Sequence, residues 1–434
     1  MSRRSESIAA RASLWASKGF VRYYVFNLLS YIGSGISVVA LPFYIYEQTS
    51  SPIFTSLVAA SGSLPYLLFG LLAGVLADRG SRKRIMIGCV LFNAASLASV
   101  PVAAWLTGQA SPWHLISVSF LAGVAFVGFD SASHGALLQL VGRRNLVAAN
   151  SLLISSDTVI RIATPLFAGV MIATFGAEWA VAVTAVCYFL SAFMIGSIRQ
   201  SFQPERPRSE AIPEGRLRKL GTDIREGLRF IWAEPRIRSL TLLGFGNSFV
   251  GGAVAGLLVV FAASELGIAD EAPQFGLLLT AGSVGALLAS LSLPSLRDRL
   301  RPGRITIAGL AVSGASLFGF TVSGALPTAA VFYLLWSVGS TLIIMNGITW
   351  RQQLTPDHLQ GRVHAGGRMI AYGGSPFGAL LGGLAAASFG AQPTFTLLSA
   401  LMLLLFAIAL RTPLRRDEAF DDNDSSQEPA GRKP

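Results

Sequence analysis

Charge is what this sequence has least of. Only 13% of its 434 residues are Asp, Glu, Lys or Arg, while 52% are hydrophobic and the mean hydropathy is +0.56. A soluble globular domain carries roughly 25% charge, so this chain cannot cover a water-facing surface and is expected to be an integral membrane protein. Cysteine is nearly missing as well: Cys89 and Cys187 both fall within apolar runs, which argues against a structural disulfide or a thiolate zinc site. The four histidines, His114, His134, His358 and His364, lack metal-ligand spacing. No metal and no cofactor are expected. A Walker-type phosphate loop is absent, which removes an ATP-driven pump. Glu47, Glu178, Glu265, Asp270 and Glu271 are scattered singly, with no nucleophile–base pair beside them, so a membrane-embedded transferase is rejected and no enzyme is expected. No short apolar core closed by a small-residue cleavage site precedes the first long run, so the N-terminus reads as a tail rather than a signal peptide.

In place of charge the chain has long apolar runs. Pro52 to Ala77 passes 26 residues without a charged side chain, and Ile85 to Gln109 is uncharged again. About 20 such residues in helical form cross ~30 Å of hydrocarbon. Twelve spans are expected. The first six are Tyr23–Tyr46, Pro52–Ala77, Ile85–Leu106, Trp113–Leu140, Ala148–Phe175 and Trp179–Ile198. The second six are Ser239–Ser264, Ala272–Leu296, Ile305–Val322, Leu326–Trp350, Ala365–Phe389 and Pro393–Leu410. Turn residues divide them, as at Ser50-Ser51-Pro52, Ser111-Pro112 and Ser323-Gly324.

The 34 Lys and Arg residues are segregated. They gather before Tyr23, in 79–84, at Arg143-Arg144, in 199–238, in 297–304, in 351–368 and after Leu410, with Arg161 alone inside a span. The alternate turns, beginning with the one after the first span, have none. Short Lys/Arg-rich loops stay on the cytoplasmic side, so both termini and the middle stretch are expected in the cytoplasm. The net charge of +11 thus follows from orientation, and no nucleic-acid partner is expected. Within the middle stretch, Leu217, Leu220, Ile224, Leu228 and Ile231 recur at helical spacing among Arg218, Lys219, Arg225 and Arg229. That pattern is expected to form an amphipathic helix on the inner membrane surface.

The halves of the chain match each other. Gln139-Leu140 recurs as Gln353-Leu354, and Gly169, Phe175, Gly176 and Ala177 recur as Gly383, Phe389, Gly390 and Ala391 at the same offset. Six spans is an even number, so a duplicated unit enters the membrane the same way twice. The expected fold class is all-α, with 12 transmembrane helices in two pseudo-symmetric six-helix bundles. The expected division is a cytoplasmic tail at 1–22, a first bundle at 23–198, a linker with its amphipathic helix at 199–238, a second bundle at 239–412 and a disordered tail at 413–434.

The turn between the second and third spans resembles the signature loop of the major facilitator superfamily, Gly-x-x-x-Asp-Arg-x-Gly-Arg-Lys. It matches at Gly74, Asp78, Arg79, Arg82 and Lys83, with Ser81 standing where the family has glycine. Gly33-Ser34-Gly35-Ile36, Leu41-Pro42, the run Asp223 to Phe230, Thr355-Pro356-Asp357 and Gly361-Arg362-Val363 resemble the efflux branch that holds macrolide exporters and the enterobactin exporter. The resemblance implies that Asp78 latches onto the N-terminal end of the eleventh span, near Gly361 to Ala365, and that Arg82 pairs with Asp130. Thr164-Pro165-Leu166-Phe167-Ala168-Gly169 is similar to the antiporter motif Gly-Pro-x-x-Gly-Gly, with Pro165 and Gly169 kept and Thr164 and Ala168 replacing glycines. From the spans that line the cavity in the family, Asn27, Tyr31, Asn247, Trp336, Asn346 and Tyr372 are the expected substrate contacts.

A charge at mid-membrane costs about 2.5–3.5 kcal/mol or more, so Asp130, Asp157 and Arg161 each need a reason. Asp157 and Arg161 are one helical turn apart and can pair. Two readings stay open: a self-satisfied pair that holds the fifth helix, or a cavity site where Arg161 binds an anion or controls the proton on Asp157. Asp157 and Asp130 are the expected proton carriers, with His134 one turn beyond Asp130. The expected function is secondary transport by alternating access, with proton-coupled export of a hydrophobic or amphipathic molecule such as a drug or siderophore. The alternative is a facilitator or symporter that imports a metabolite. The expected setting is the bacterial inner membrane, with the chain acting as a monomer on small molecules and protons within the lipid bilayer.

Overall fold

Helix starts and stops are written into the sequence locally. Ser17 accepts a hydrogen bond from the Phe20 amide at 3.3 Å, and Ser81 accepts one from Arg84 at 3.5 Å, each capping a helix start. Proline in the first turn opens other helices, where its missing N–H costs nothing. Ser50 and Gly108 end theirs in the left-handed conformation. The computed structural model describes residues 14–133, 136–200, 202, 216–268, 271–356 and 359–416; side chains are described there except at 71–72, 74–79, 216–224, 361, 365 and 416.

Among the described residues, twelve helices are long and apolar enough to cross a membrane. The first bundle is α1 (Lys18–Thr49), α2 (Pro52–Arg79), α3 (Arg82–Thr107), α4 (Pro112–Ser133), α5 (Ala136–Phe175) and α6 (Ala177–Gly196). A connecting helix α7 (Arg216–Ala233) follows. The second bundle is α8 (Pro235–Glu265), α9 (Ala272–Arg299), α10 (Pro302–Thr321), α11 (Leu326–Leu354), α12 (Gln360–Phe389) and α13 (Ala391–Ala409). The bundles repeat one pattern of neighbours. In the first, α1 packs on α5 and α6, α2 on α4, and α3 on α4 and α6. In the second, α8 packs on α12 and α13, α9 on α11, and α10 on α11 and α13. The repeated Gly176 and Gly390 have matching backbones, φ 92° and ψ 161° against φ 90° and ψ 167°. The outer surface is apolar, with Trp105, Phe175 and Leu291 each at least two-thirds exposed, as a lipid-facing surface requires. Inside the second bundle the rings of Phe261, Phe320 and Phe395 lie 4.6–5.5 Å apart.

Several boundaries differ from expectation. The first helix starts at Lys18 instead of Tyr23, because Ser17 caps it before the apolar run begins. The fourth is described as helix to Ser133 and again from Ala136, residues 134–135 lying outside the described residues. The break before the fifth span falls at Gly142, whose φ of 71° is one that glycine adopts without a side-chain clash. The amphipathic helix is present as α7, and the described part of its apolar face packs on protein. Ile231 is 1% exposed and packs with Ile237, Leu359 and Val363, and α7 rests on α12 and α8. Arg362 donates to Glu226, fixing the same contact from its polar side. Leu217, Leu220 and Ile224 fall where side chains are not described, and of the expected tails at 1–22 and 413–434, residues 1–13 and 417–434 lie outside the described residues.

Candidate functional site

The two bundles meet along two seams related by the repeat, α2 against α12 and α5 against α9. Small residues bring backbones together there. On the α5/α9 seam, a Cβ at Gly169 would run into the Ala272 carbonyl, and one at Gly276 into that of Pro165. Thr280 Oγ1 donates to the Ile162 carbonyl at 3.0 Å. The expected motif residues Pro165 and Gly169 thus lie on this seam. On the α2/α12 seam Gly383 abuts Ser56, and Gly373 abuts Leu67. The repeat partners Gly169 and Gly383 therefore occupy equivalent close approaches.

Further along the α2/α12 seam lies a polar cluster. Arg368 of α12 reaches Asp130 of α4 at 3.6 Å and places its guanidinium 5.2 Å from the Tyr66 ring centroid. Tyr66 and Tyr372 rings are 6.1 Å apart. Asp130 is thus tied to the opposite bundle through Arg368, a partner that no local motif indicates. Lys83 Nζ donates to the carbonyls of Gly196, at 3.2 Å, and Ile198, while Arg22 donates to Ser197 at 2.6 Å. Both cations therefore hold the C-terminal end of α6, where the helix dipole is negative. Arg82 stands at the first position of α3, after its Ser81 cap. The side chains of Asp78 and Arg79 are not among those described, nor are the surroundings of Gly74; His134 lies outside the described residues.

On α5, Arg161 Nε donates to both Asp157 oxygens, at 3.0 and 2.8 Å. Asn150, Ile154, Asp157 and Arg161 share one helical face. Along it Asn150 and Ile154 are exposed, and the Arg161 side chain is 66% exposed, whereas Thr164 and Ala168, next on the same face, are buried. The opposite face, with Val159, Leu166 and Val170, is exposed throughout, as lipid contact requires. An open space therefore flanks α5 from the end holding the Lys/Arg-rich turns and closes just above Arg161. Tyr31 of α1 is within electrostatic reach of both members of the pair.

The remaining expected cavity residues separate into two kinds. Asn247 of α8 donates to Ser340 of α11 at 3.1 Å, and its carbonyl oxygen is buried without a partner. Trp336 stacks on Tyr333 at 5.3 Å with its own N–H unpartnered. By contrast, Asn27 donates to the Tyr23 carbonyl of its own helix at 2.7 Å. Asn346 is held by α10, donating to the Pro302 carbonyl at 2.8 Å and to Thr306 at 2.9 Å. These two amides donate within their own bundles, and Asn346 Oδ1, like that of Asn247, is buried without a partner. Arg351 and Arg368, grouped by sequence with the basic turns, are instead helical residues, Arg351 buried at 4% exposure.

A model of the transmembrane secretion effector family matches residues 11–432. The chain belongs to the major facilitator superfamily. Within it, the chain is 30% identical to the multidrug efflux pump Tap of Mycolicibacterium fortuitum, over 89% of this chain and 93% of that protein. It is 27% identical to the enterobactin exporter EntS of Escherichia coli O1:K1, over 90% and 92%. Among solved structures, a bacterial homolog of the human lysosomal transporter Spinster, inward-facing and unoccupied, superposes with a TM-score of 0.71 at 16% identity, covering 96% of this chain and 99% of its own. The nucleoside transporter NupG gives 0.74 at 12% identity, covering 91% and 99%. This superfamily member is a multi-pass membrane transporter of small molecules, not an enzyme.

Proposed function

We propose that this transporter exports hydrophobic or amphipathic small molecules, drugs or siderophores, in exchange for protons. It acts as a monomer in a bacterial inner membrane, with both termini and α7 on the cytoplasmic side. The cargo class is supported by relatives that are a multidrug pump and an enterobactin exporter. The orientation is supported by the segregation of Lys and Arg into alternate turns.

The observation that carries the reading is the Asp157–Arg161 pair beside open space. An ionised Asp157 occupies Arg161 through Nε alone, leaving the two terminal nitrogens without a partner among the described residues. A proton on Asp157 weakens that pair and frees the guanidinium; loss of the proton restores it. Exchange requires proton and cargo to use this turn of α5 alternately: cargo is held beside the ionised pair, and the proton that loosens the pair accompanies its release. Tyr31, Asn247, Trp336 and Tyr372 are the proposed cargo contacts, offering aromatic surface with a few polar groups.

Asp130 is the second proposed proton carrier, because neutralising it removes its attraction to Arg368 across the seam. In this reading the signature loop, from Gly74 through Asp78, Arg79, Arg82 and Lys83, gates the cytoplasmic side. Backbone-to-backbone packing at Gly169 and Gly383 lets the bundles rock without unlocking interdigitated side chains.

Everted membrane vesicles given a fluorescent amphipathic dye from outside test the proposal. Dye accumulation is expected to follow an imposed pH gradient, to vanish when the gradient is collapsed, and to fall in Asp157→Asn and Asp130→Asn. Full gradient-driven accumulation in both variants would remove the proton assignment. Accumulation in right-side-out vesicles only would replace export by import.

A further inference from the structure

Arg351 is the charge that the proposed cycle leaves unused. It lies on α11, 4% exposed, with its Nε lacking any hydrogen-bond partner. Among the described residues no carboxylate pairs with it; the ion pairs there are Asp157–Arg161, Glu226–Arg362 and Asp130–Arg368. A buried guanidinium without a counter-charge is strongly unfavourable unless a partner arrives during the protein's working cycle.

The surroundings make room for such a partner. Gly367 of α12 lies directly against the guanidinium, where a Cβ would overlap it. One turn back along α11, Gly347 is buried, yet a Cβ there would meet nothing within 4 Å. That is room for added atoms one turn from an unpaired cation. The same face of α11 continues through Ser340, which holds Asn247, to Trp336. Asn247 Oδ1 and Trp336 Nε1 are both buried and unsatisfied. Three unpartnered polar groups and the free space at Gly347 thus share one wall of the second bundle.

We propose that this wall is an anion subsite: Arg351 takes the acidic group of an amphipathic organic anion whose apolar body runs past Gly347 toward Asn247 and Trp336. From Arg351 to Ser340 the face measures roughly 16 Å at the helical rise of ~1.5 Å per residue, enough for a two- or three-ring molecule. The subsite rests on the export reading in taking the anion to be cargo. An oxyanion on an apolar body is also the chemistry of an anionic lipid, and the two sources are separable.

The test uses the full-length protein in nanodiscs of phosphatidylcholine, with anilinonaphthalene sulfonate as the anionic probe and ethidium as a cationic one. The expected result is that Arg351→Gln lowers the ratio of anion to cation affinity at least 10-fold, while Arg351→Lys recovers part of it. Gly347→Leu, which fills the space without touching the charge, is expected to weaken the anion at least 5-fold and to cover the case in which the arginine variant does not fold. An unchanged ratio in Arg351→Gln, or undiminished anion binding in Gly347→Leu, overturns the subsite. Adding phosphatidylglycerol to the wild-type nanodiscs is expected to leave anion affinity unchanged; displacement of the probe would overturn the cargo assignment in favour of lipid. Binding in a neutral disc needs no gradient, so this result stands apart from dye export in everted vesicles, whose failure would strike the export reading instead.

Discussion

Arg161 and Arg351 sit in the walls of two related bundles and live under opposite conditions. Arg161 has its counter-charge one turn away on the same helix and a side chain 66% exposed. Arg351 has no counter-charge among the described residues and is 4% exposed. An exposed pair of the first kind contributes about 0.3–0.5 kcal/mol, little enough to be exchanged for another partner at each turnover. A buried cation of the second kind carries a desolvation penalty of several kcal/mol. Among the described residues no carboxylate repays that penalty. Identical residue chemistry has thus been given two tasks by surroundings alone: a pair that switches on one side, and a fixed receptor on the other.

The largest effect should come from removing the switch. Asp157→Asn keeps the shape of the α5 wall but cannot bind and release a proton. Gradient-driven dye transport is expected to fall ~100-fold, the low end for loss of a positioned proton-transfer group. Equilibrium dye binding in nanodiscs should change less than ~3-fold. A parallel loss of binding would make Asp157 a structural residue and erase the contrast with Arg351.

Next comes the stability of the receptor side. Arg351→Met replaces an uncompensated buried charge with an apolar side chain that fits much of the same volume. Replacing buried charges in this way is neutral or stabilising by about 1–4 kcal/mol, so thermal unfolding in detergent should move upward. A marked fall in the unfolding temperature would mean that Arg351 already has a partner in the folded protein.

These contrasts were unevenly legible in the sequence. The twelve spans and the duplication could be read because uncharged runs and recurring glycines are local features. Asp157 and Arg161 could be paired because four residues apart on a helix is also local. Arg368 could not be matched to Asp130, since its partner lies in the other bundle and no periodicity links them. Arg351 was hidden for another reason: three residues from the end of α11, it looks like part of a basic turn. Only the packing of Gly367 against it shows that the helix end is inside protein. The α7 helix teaches the same lesson in reverse, because an apolar stripe states that something covers it without saying whether that is lipid or α12.

The third contrast places Arg368 between the two extremes, partly exposed and paired across the seam at 3.6 Å with Asp130. Its contribution should be about 1 kcal/mol, the upper end for a solvent-accessible pair. Asp130→Asn or Arg368→Gln is therefore expected to shift the balance between the two facing states ~5-fold. Spin labels at the exposed positions Val147 and Leu291 would report it as a redistribution of distances between α5 and α9. An unmoved distribution in both variants would restrict the pair to a role within one state.

The smallest effect on stability is expected at Arg161 itself, and its smallness is the point. Arg161→Met removes the partner of Asp157, but the side chain lost was two-thirds exposed and bonded within one turn of its own helix. Thermal unfolding should then change by no more than about 0.5 kcal/mol, the usual range for a surface substitution. Dye transport should lose its dependence on the gradient even so, because Asp157 no longer has a cation to release. If Arg161→Met destabilised the fold as strongly as Arg351→Met stabilised it, the exposed pair would be a structural clamp. The two arginines would then differ only in sign, and the assignment of switching to the first bundle and reception to the second would have no basis.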